Sequence, residues 1–144
     1  MKTKLLGMSI LAVVSMATFS CDDDKEIQTV DLPETASTFL STYFNGVKTV
    51  RVEKEGSNYA VDLENKIEVD FNGNGEWIEV DGPDSVAIPT GFILPKIVDY
   101  VGTTYPANTI NGIEKKADGY DVDLVKQDID LIFDKDGGFV RVDP

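Results

Sequence analysis

Residues 59–71 read Tyr-Ala-Val-Asp-Leu-Glu-Asn-Lys-Ile-Glu-Val-Asp-Phe, and residues 120–133 repeat the pattern as Tyr-Asp-Val-Asp-Leu-Val-Lys-Gln-Asp-Ile-Asp-Leu-Ile-Phe. In both stretches apolar and acidic side chains alternate, which is typical of β-strands that bury one face. A short polar segment interrupts each stretch, so each is expected to fold as an antiparallel hairpin. The sequence therefore predicts a β-rich unit that occurs twice.

Matches outside these stretches extend the repeated unit. Glu53 corresponds to Glu114 upstream of the hairpin, and Trp77 corresponds to Phe139 downstream of it. The offset between the copies is 61 residues before the interrupting turn and 62 after it, so one residue is inserted there. Self-similarity at a fixed period indicates a duplicated structural unit.

A helix is expected to open each unit. Apolar residues recur at spacings of three and four in the first unit (Ala36, Phe39, Leu40, Tyr43, Phe44) and again in the second (Ile97, Val98, Val101, Tyr105). Such spacing places them on one face of a helix. Asp31 is the expected N-cap of the first helix, and Pro33 suits its first turn.

Four short strands are expected to follow each helix. Their predicted ranges are 47–54, 57–64, 66–72 and 75–81 in the first unit, and 108–116, 119–126, 128–134 and 138–143 in the second. The predicted fold class is α+β, with two tandem helix-plus-four-antiparallel-strand repeats forming a roughly eight-stranded sheet with helices on one face. The predicted boundaries are 31–81 for repeat 1, 82–88 for a linker and 89–144 for repeat 2.

Residues 1–20 have the layout of a secretory signal peptide. Lys2 and Lys4 precede an apolar stretch, residues 5–19, that is too short to span a hydrocarbon core of about 30 Å comfortably. Cys21, the single cysteine of the chain, follows directly and resembles the lipidated cysteine of bacterial lipoproteins. Acyl chains on Cys21 would anchor the protein to a membrane. The alternative is an ordinary signal peptide followed by an incidental thiol.

An acidic cluster, residues 22–26, follows Cys21 and predicts a solvated tether over residues 21–30. The cluster also resembles the signal that sends lipoproteins of Bacteroidetes to the cell surface. The expected location is therefore the outer membrane, either on the cell surface or facing the periplasm. Without residues 1–20, eleven basic and 26 acidic residues give a net charge of −15, which argues against binding to nucleic acid or anionic membranes.

The order Leu-Pro, Tyr-Phe, Val-Glu-Lys, Tyr-x-Val-x-Leu and Phe-x-x-x-Gly-x-Trp resembles the PepSY-like family, which is also called the β-lactamase-inhibitor-like family. The resemblance covers residues 31–143 and rests on core and turn positions. It implies the fold, and it implies a small lipoprotein or periplasmic protein of Bacteroidetes. It brings no active-site motif with it.

Catalysis is not expected. The chain has no histidine, which is the usual general base near neutral pH. It has no Ser-x-x-Lys or Gly-x-Ser-x-Gly motif either, and Cys21 is assigned to lipid. Cofactors are not predicted.

Residues 70–75, Asp-Phe-Asn-Gly-Asn-Gly, match the beginning of an EF-hand calcium loop. The segment joins two predicted strands rather than two helices, and Asn-Gly pairs are common in hairpin turns. The interpretation is therefore a turn, with weak calcium binding as the alternative. No metal site is predicted.

Two candidate binding features remain. If the apolar side chains of each hairpin pack under the helices, the acidic ones share the opposite sheet face: Asp62, Glu64, Glu68 and Asp70 in repeat 1, and Asp121, Asp123, Asp130 and Asp134 in repeat 2. The alternatives for this face are a solvated surface and a platform for a basic protein or peptide. Trp77 is either a core residue or a platform for a ligand.

The leading functional hypothesis is a non-catalytic envelope lipoprotein that binds a protein or peptide through the acidic sheet face, a basic partner being one candidate. One alternative is an inhibitor or regulator of a secreted or periplasmic enzyme such as a peptidase, which the family names imply. Another is a small-ligand or glycan binder that uses Trp77.

Overall fold

The computed structural model describes residues 31–144. Two helices and eight strands follow one another in the order α1 (Glu34–Tyr43), β1 (Thr49–Glu55), β2 (Asn58–Leu63), β3 (Glu68–Phe71), β4 (Trp77–Asp81), α2 (Pro95–Thr104), β5 (Ile110–Lys116), β6 (Gly119–Leu124), β7 (Asp130–Asp134) and β8 (Phe139–Asp143). The signal peptide, Cys21 and the acidic tether lie outside the described residues. No helix in the described part of the chain is long and apolar enough to cross a membrane.

The strands form one open antiparallel sheet in the order of the sequence, β1 to β8. Each strand pairs with the next along the chain, and β4 pairs with β5 through Val80 and Ile113. The connection between β4 and β5 carries α2. The predicted α+β architecture is therefore confirmed.

One hydrophobic core lies between the sheet and the two helices. Ala36 and Leu40 face it from α1, and Ile97 and Val101 face it from α2. The sheet contributes the alternate side chains of its strands, among them Val52, Val61, Val69, Phe71, Val80, Ile113, Val122, Leu131 and Phe133. Since both helices cover the same face, the other face of the sheet lies open.

The helix α1 begins later than expected. Pro33 occupies the position before its first residue, and no side chain caps this end by a hydrogen bond. The prediction that Asp31 is the N-cap is therefore wrong. Proline suits this place because its fixed φ is compatible with the start of a helix and it has no N–H to leave unpaired.

A glycine allows each helix to contact a hairpin turn. Gly75 between β3 and β4 has φ +82°, and a Cβ there would lie 2.8 Å from Pro33 Cβ and 2.9 Å from the Ala36 nitrogen. Gly137 between β7 and β8 has φ +77°, and a Cβ there would lie 3.2 Å from Lys96 Cβ of α2, a less severe approach. Only glycine adopts this conformation without strain while leaving room for the neighbouring helix.

We expect Gly75→Ala to reduce the free energy of unfolding by at least about 2 kcal/mol, because it combines left-handed strain with a clash against α1. Gly46→Ala is the matched control: Gly46 has φ +81°, but a Cβ added there would have no atom within 4 Å. That variant should show only the conformational strain, about 1 kcal/mol. Equal losses in urea unfolding would contradict the proposed role of the helix contact.

Candidate functional site

The open face of the sheet carries a dense set of carboxylates, which we call the acidic face. It comprises the outward side chains of six strands: Asp62, Glu68, Asp70, Glu79, Asp81, Glu114, Asp121, Asp123 and Asp130. Their backbone positions alternate with buried core residues such as Val61 and Val69. The same alternation that builds the core therefore brings these acids together.

One row of acids crosses four neighbouring strands. Asp70 lies opposite Glu79, Glu79 lies opposite Glu114, and Glu114 lies opposite Asp121. Adjacent strands are about 4.8 Å apart. Like charges that face each other directly across strands are destabilising, so this row reduces the stability of the fold.

A second row runs parallel to the first and contains one gap. Asp62 lies opposite Glu68, Glu68 opposite Asp81, and Asp123 opposite Asp130. Gly112 separates the two halves of the row, because it is the partner of both Asp81 and Asp123.

The missing side chain at Gly112 leaves room for the two carboxylates beside it. A Cβ at Gly112 would lie 2.9 Å from Asp81 Oδ1 and 3.0 Å from Asp123 Oδ2. Both carboxylates therefore lean over the glycine from opposite sides. Oxygen atoms converge at this point from two strands that belong to different halves of the chain.

The environment of the acidic face disfavours its own negative charge. Burial, followed by the charges of neighbouring carboxylates, raises the pKa of Asp70 to about 6. Burial, a hydrogen bond with the Asp130 carboxyl group and neighbouring charges raise the pKa of Asp123 to about 7. Burial and neighbouring acids also raise the pKa of four further groups: Glu68, Glu79, Asp81 and Asp121.

Two carboxylate oxygens on this face are shielded from solvent. Oδ1 of Asp70 and Oδ1 of Asp121 are buried and have no hydrogen-bond partner among the described residues. An unpaired buried acceptor costs free energy because it has lost its contact with water. Both residues belong to the first row and lie at its two ends, on β3 and β6.

Basic side chains contact the face near its outer strands and at Glu114. Arg51 Nε donates to Asp62 Oδ2 at 2.6 Å, and Lys116 forms an ion pair with Glu114. Arg141 pairs with Asp143 on the last strand. Thus the ion pairs found within residues 31–144 involve acids near the outer strands and Glu114. The carboxylates around Gly112 face one another instead.

The structure brings together six of the eight acids predicted for the outer sheet face. The six that lie on the acidic face are Asp62, Glu68, Asp70, Asp121, Asp123 and Asp130. Glu64 lies beyond the end of β2, and its Oε1 accepts a hydrogen bond from the backbone N–H of Lys48 at 3.2 Å. Glu64 therefore stabilises a connection at the margin of the face.

The sequence patterns did not predict the centre of the face, which consists of Glu79, Asp81 and Glu114. The bulge that pairs Phe71 with Trp77 and shifts the register after Asp70 hides the alternation of β4. The flanking residues did carry a signal, because Glu79 and Asp81 flank the apolar Val80 and Glu114 follows the apolar Ile113. Gly112 could not be recognised without the pairing of β4 with β5.

The EF-hand-like segment forms a hairpin turn. Asn72 Oδ1 accepts hydrogen bonds from the backbone N–H groups of Asn74 and Glu76, both at 3.0 Å. Asp134 Oδ1 accepts from Asp136 and Gly138 in the same way in the second half. Asn72 Oδ1, which a calcium loop would use as a ligand, thus holds the first turn. Asp134 likewise serves its turn rather than the acidic face.

Trp77 lies on the helix side of the sheet and is half-buried. Its ring centroid is 5.1 Å from that of Phe92 in an edge contact, and Lys115 Nζ lies 4.0 Å above the ring. Phe39 and Tyr120 lie at 6.5 Å in stacked orientations. Trp77 is therefore packed against the core, away from the acidic face.

Comparison with known proteins decides the family. Residues 21–72 and 57–141 match the family described as beta-lactamase-inhibitor-like, PepSY-like. The chain belongs to the PepSY-like family. This confirms the resemblance inferred from the core and turn residues. No curated protein matches the chain.

Solved structures of similar proteins come from Bacteroides. A protein from Bacteroides thetaiotaomicron, described as calcium-regulated and periplasmic, is 31% identical, with a TM-score of 0.75 over 85% of this chain and 98% of its own. Two proteins from Bacteroides vulgatus, both described as periplasmic, are 28% and 31% identical. Their TM-scores are 0.73 over 82% of this chain and 96% of that chain, and 0.74 over 86% and 99%.

We expect this PepSY-like protein to be more stable in mild acid than at neutral pH. The folded state raises the pKa of Asp70 to about 6 and that of Asp123 to about 7, so in this range it binds more protons than the unfolded chain. Stability should therefore rise as pH falls through these values and decline as pH rises through them. Thermal unfolding between about pH 8 and pH 5 measures this effect.

Asp123→Asn should raise the melting temperature at neutral pH by a few degrees and flatten the pH dependence, because it removes a disfavoured charge. Asp118→Asn, in the exposed turn between β5 and β6, is the matched control and should change neither. A melting temperature that falls steadily from pH 8 to pH 5 would show that the facing carboxylates do not control stability.

Proposed function

We propose that this protein is a non-catalytic outer-membrane lipoprotein that captures a basic protein or peptide on the acidic face. The observation that supports this proposal is the in-register opposition of carboxylates from Asp70 to Asp121. Their mutual repulsion reduces the stability of the free protein, and a cationic partner would relieve it.

The physical state of these acids favours a cationic ligand. Burial and neighbouring acids already raise the pKa of several carboxyl groups. A Lys or Arg side chain placed between two strands would reduce the repulsion between the carboxylates on those strands. The contact would be screened by salt, and it would direct association more strongly than it would determine affinity.

The location proposed for this activity is the cell envelope. Similar proteins of known structure are described as periplasmic. Lipid on Cys21 would hold the domain near a membrane, and residues 22–30 would separate the domain from it. An enzyme inhibitor or regulator is a special case of this proposal in which the basic partner is a secreted or periplasmic enzyme such as a peptidase.

The glycan hypothesis has less support. A ring that stacks on a sugar needs an open face, and Lys115 already lies over the ring of Trp77. The aromatic contacts with Phe92 and Phe39 also fix the indole against the core.

A binding experiment with a defined probe tests the proposal. The purified protein should bind a fluorescent oligolysine peptide, with an affinity that falls as salt rises. Glu79→Lys combined with Asp123→Lys should weaken binding by about tenfold or more, since one acid of each row becomes cationic. The melting temperature should not fall, because the same changes relieve repulsion.

The matched control reverses the same number of charges elsewhere. Asp118 and Asp136 lie exposed in the turns after β5 and β7, and their joint change to Lys alters the net charge equally. Equal loss of binding in both double variants would indicate a nonspecific effect of net charge and would remove support for a site on the face. Envelope extracts passed over the wild-type and variant proteins would then identify the natural partner.

Calcium is a second candidate ligand, favoured by the space over Gly112. A related protein is described as calcium-regulated. Asp81 and Asp123 already converge there, and carboxylate oxygens are suitable ligands for this ion. No group of three or more acidic, histidine or cysteine side chains within residues 31–144 is already arranged for a metal, so binding would require the carboxylates to move.

Calcium should raise the melting temperature of the wild-type protein more than magnesium does, because calcium accepts irregular oxygen coordination. Asp81→Asn should reduce this shift, whereas Asp118→Asn, in the exposed turn between β5 and β6, should retain it. Identical shifts for both ions, or for both variants, would exclude a calcium site at Gly112.

A further inference from the structure

The exposed large apolar side chains of the described chain lie on the two outermost strands of the sheet. Val50 on β1 is 59% exposed, and on β8 Phe139, Val140 and Val142 are 39%, 55% and 39% exposed. The sheet formed by residues 31–144 is open, so β1 and β8 each also present a row of backbone groups that no further strand among these residues pairs. An apolar edge strand is a template for pairing with another strand.

The chain already contains a junction that shows how such edges can join. β4 ends the first half and β5 begins the strands of the second, and the two pair through Glu79↔Glu114, Val80↔Ile113 and Asp81↔Gly112. In the second half β8 takes the place of β4, and in the first half β1 takes the place of β5.

Irregularities in the register support this equivalence. The shift between β3 and β4 at Phe71 recurs between β7 and β8 at Phe133. The shift between β1 and β2 after Thr49 recurs between β5 and β6 after Ile110. The two edge strands therefore have the same local shape as the two strands that meet in the middle of the sheet.

Transferring the internal register to the edges gives complementary pairs. Val142 would lie opposite Val52, as Val80 lies opposite Ile113. Arg141 would lie opposite Glu53, and Asp143 would lie opposite Arg51. The internal junction places two acids, Glu79 and Glu114, opposite each other, whereas both charged pairs at the edges would be of opposite sign.

Existing contacts at the edges fit this arrangement. Arg141 pairs with Asp143 at 3.0 Å along β8, and Arg51 pairs with Glu53 at 2.9 Å along β1. Side by side, the two ion pairs would form a network of alternating charges. Burial agrees as well: Val80, the equivalent of Val142, is fully buried where β5 pairs with β4.

We propose that copies of this protein associate head to tail, with β8 of one copy pairing antiparallel with β1 of the next in the register of the β4–β5 junction. The contact is heterologous, so it permits chains longer than a dimer. One added strand is a small interface, and the association is therefore weak and concentration-dependent in solution.

Sedimentation velocity of the purified protein at rising concentration tests the proposal. The wild-type protein should associate reversibly into dimers and larger species. Arg141→Glu and Glu53→Arg should each raise the dissociation constant by roughly tenfold, because each places like charges across the junction. An equimolar mixture should associate again, since the intact β8 of one variant can pair with the intact β1 of the other.

Matched controls reverse charge away from the edges. Lys135→Glu and Asp118→Arg lie in exposed turns and should leave association unchanged, and thermal unfolding verifies that every variant is folded. A wild-type protein that stays monomeric at all concentrations overturns the proposal. So does a loss of association in only one of the two edge variants, because this would indicate twofold pairing of β8 with β8 or of β1 with β1.

Discussion

The burial of alternate side chains under two helices is the constraint on which the rest of this structure depends. Val61, Val69 and Val122 are fully buried, and their strand neighbours must face the other way. A slip of one residue in any pairing would move a complete set of apolar side chains into solvent and acids into the core. The register of the sheet, and with it the opposition of the carboxylates, is therefore fixed by the core rather than by the charges themselves.

The acidic face consequently exists at a cost to stability. Solubility alone would be served equally by acids in exposed turns, such as Asp118 and Asp136, where no carboxylate faces another strand. Instead, Glu79 and Glu114 face each other at the junction of the two halves, and Asp70 and Asp121 each leave a buried oxygen unpaired among the described residues. Groups that are disfavoured in the free protein are commonly those used in binding.

The sequence predicted much of this fold because its local signals agree with one another. The alternation in residues 59–71 and 120–133 specified two hairpins, and the helical spacing around Leu40 and Ile97 specified what covers them. The prediction of the residue that caps the N-terminus of α1 was wrong, because the helix begins directly after Pro33 and has no acidic cap. For the site, the alternation of side chains alone predicted which acids of β2, β3, β6 and β7 face outward.

The centre of the site could not be predicted, because it depends on a contact between halves. Nothing within β4 or β5 specifies that Gly112 lies beside both Asp81 and Asp123; that follows only from the pairing of the two strands. The bulge at Phe71 further obscured which side of β4 faces outward. An alternating pattern does not predict which distant strands pair with each other, since any two strands with one apolar face could pair.

The charges on the open side of the sheet differ between its middle and its ends. In the middle, from β3 to β6, acids face acids, and the arrangement favours a cation that the described chain does not itself supply around Gly112. At the ends, Arg51 and Arg141 each lie beside an acid on their own strand, so the edges are balanced. One sheet surface thus combines a repulsive centre, where we propose that a basic ligand binds, with balanced margins, where we propose that a copy of the same chain pairs. Because the centre and the edges lie on different strands, binding of a basic ligand and pairing of two copies could occur at the same time.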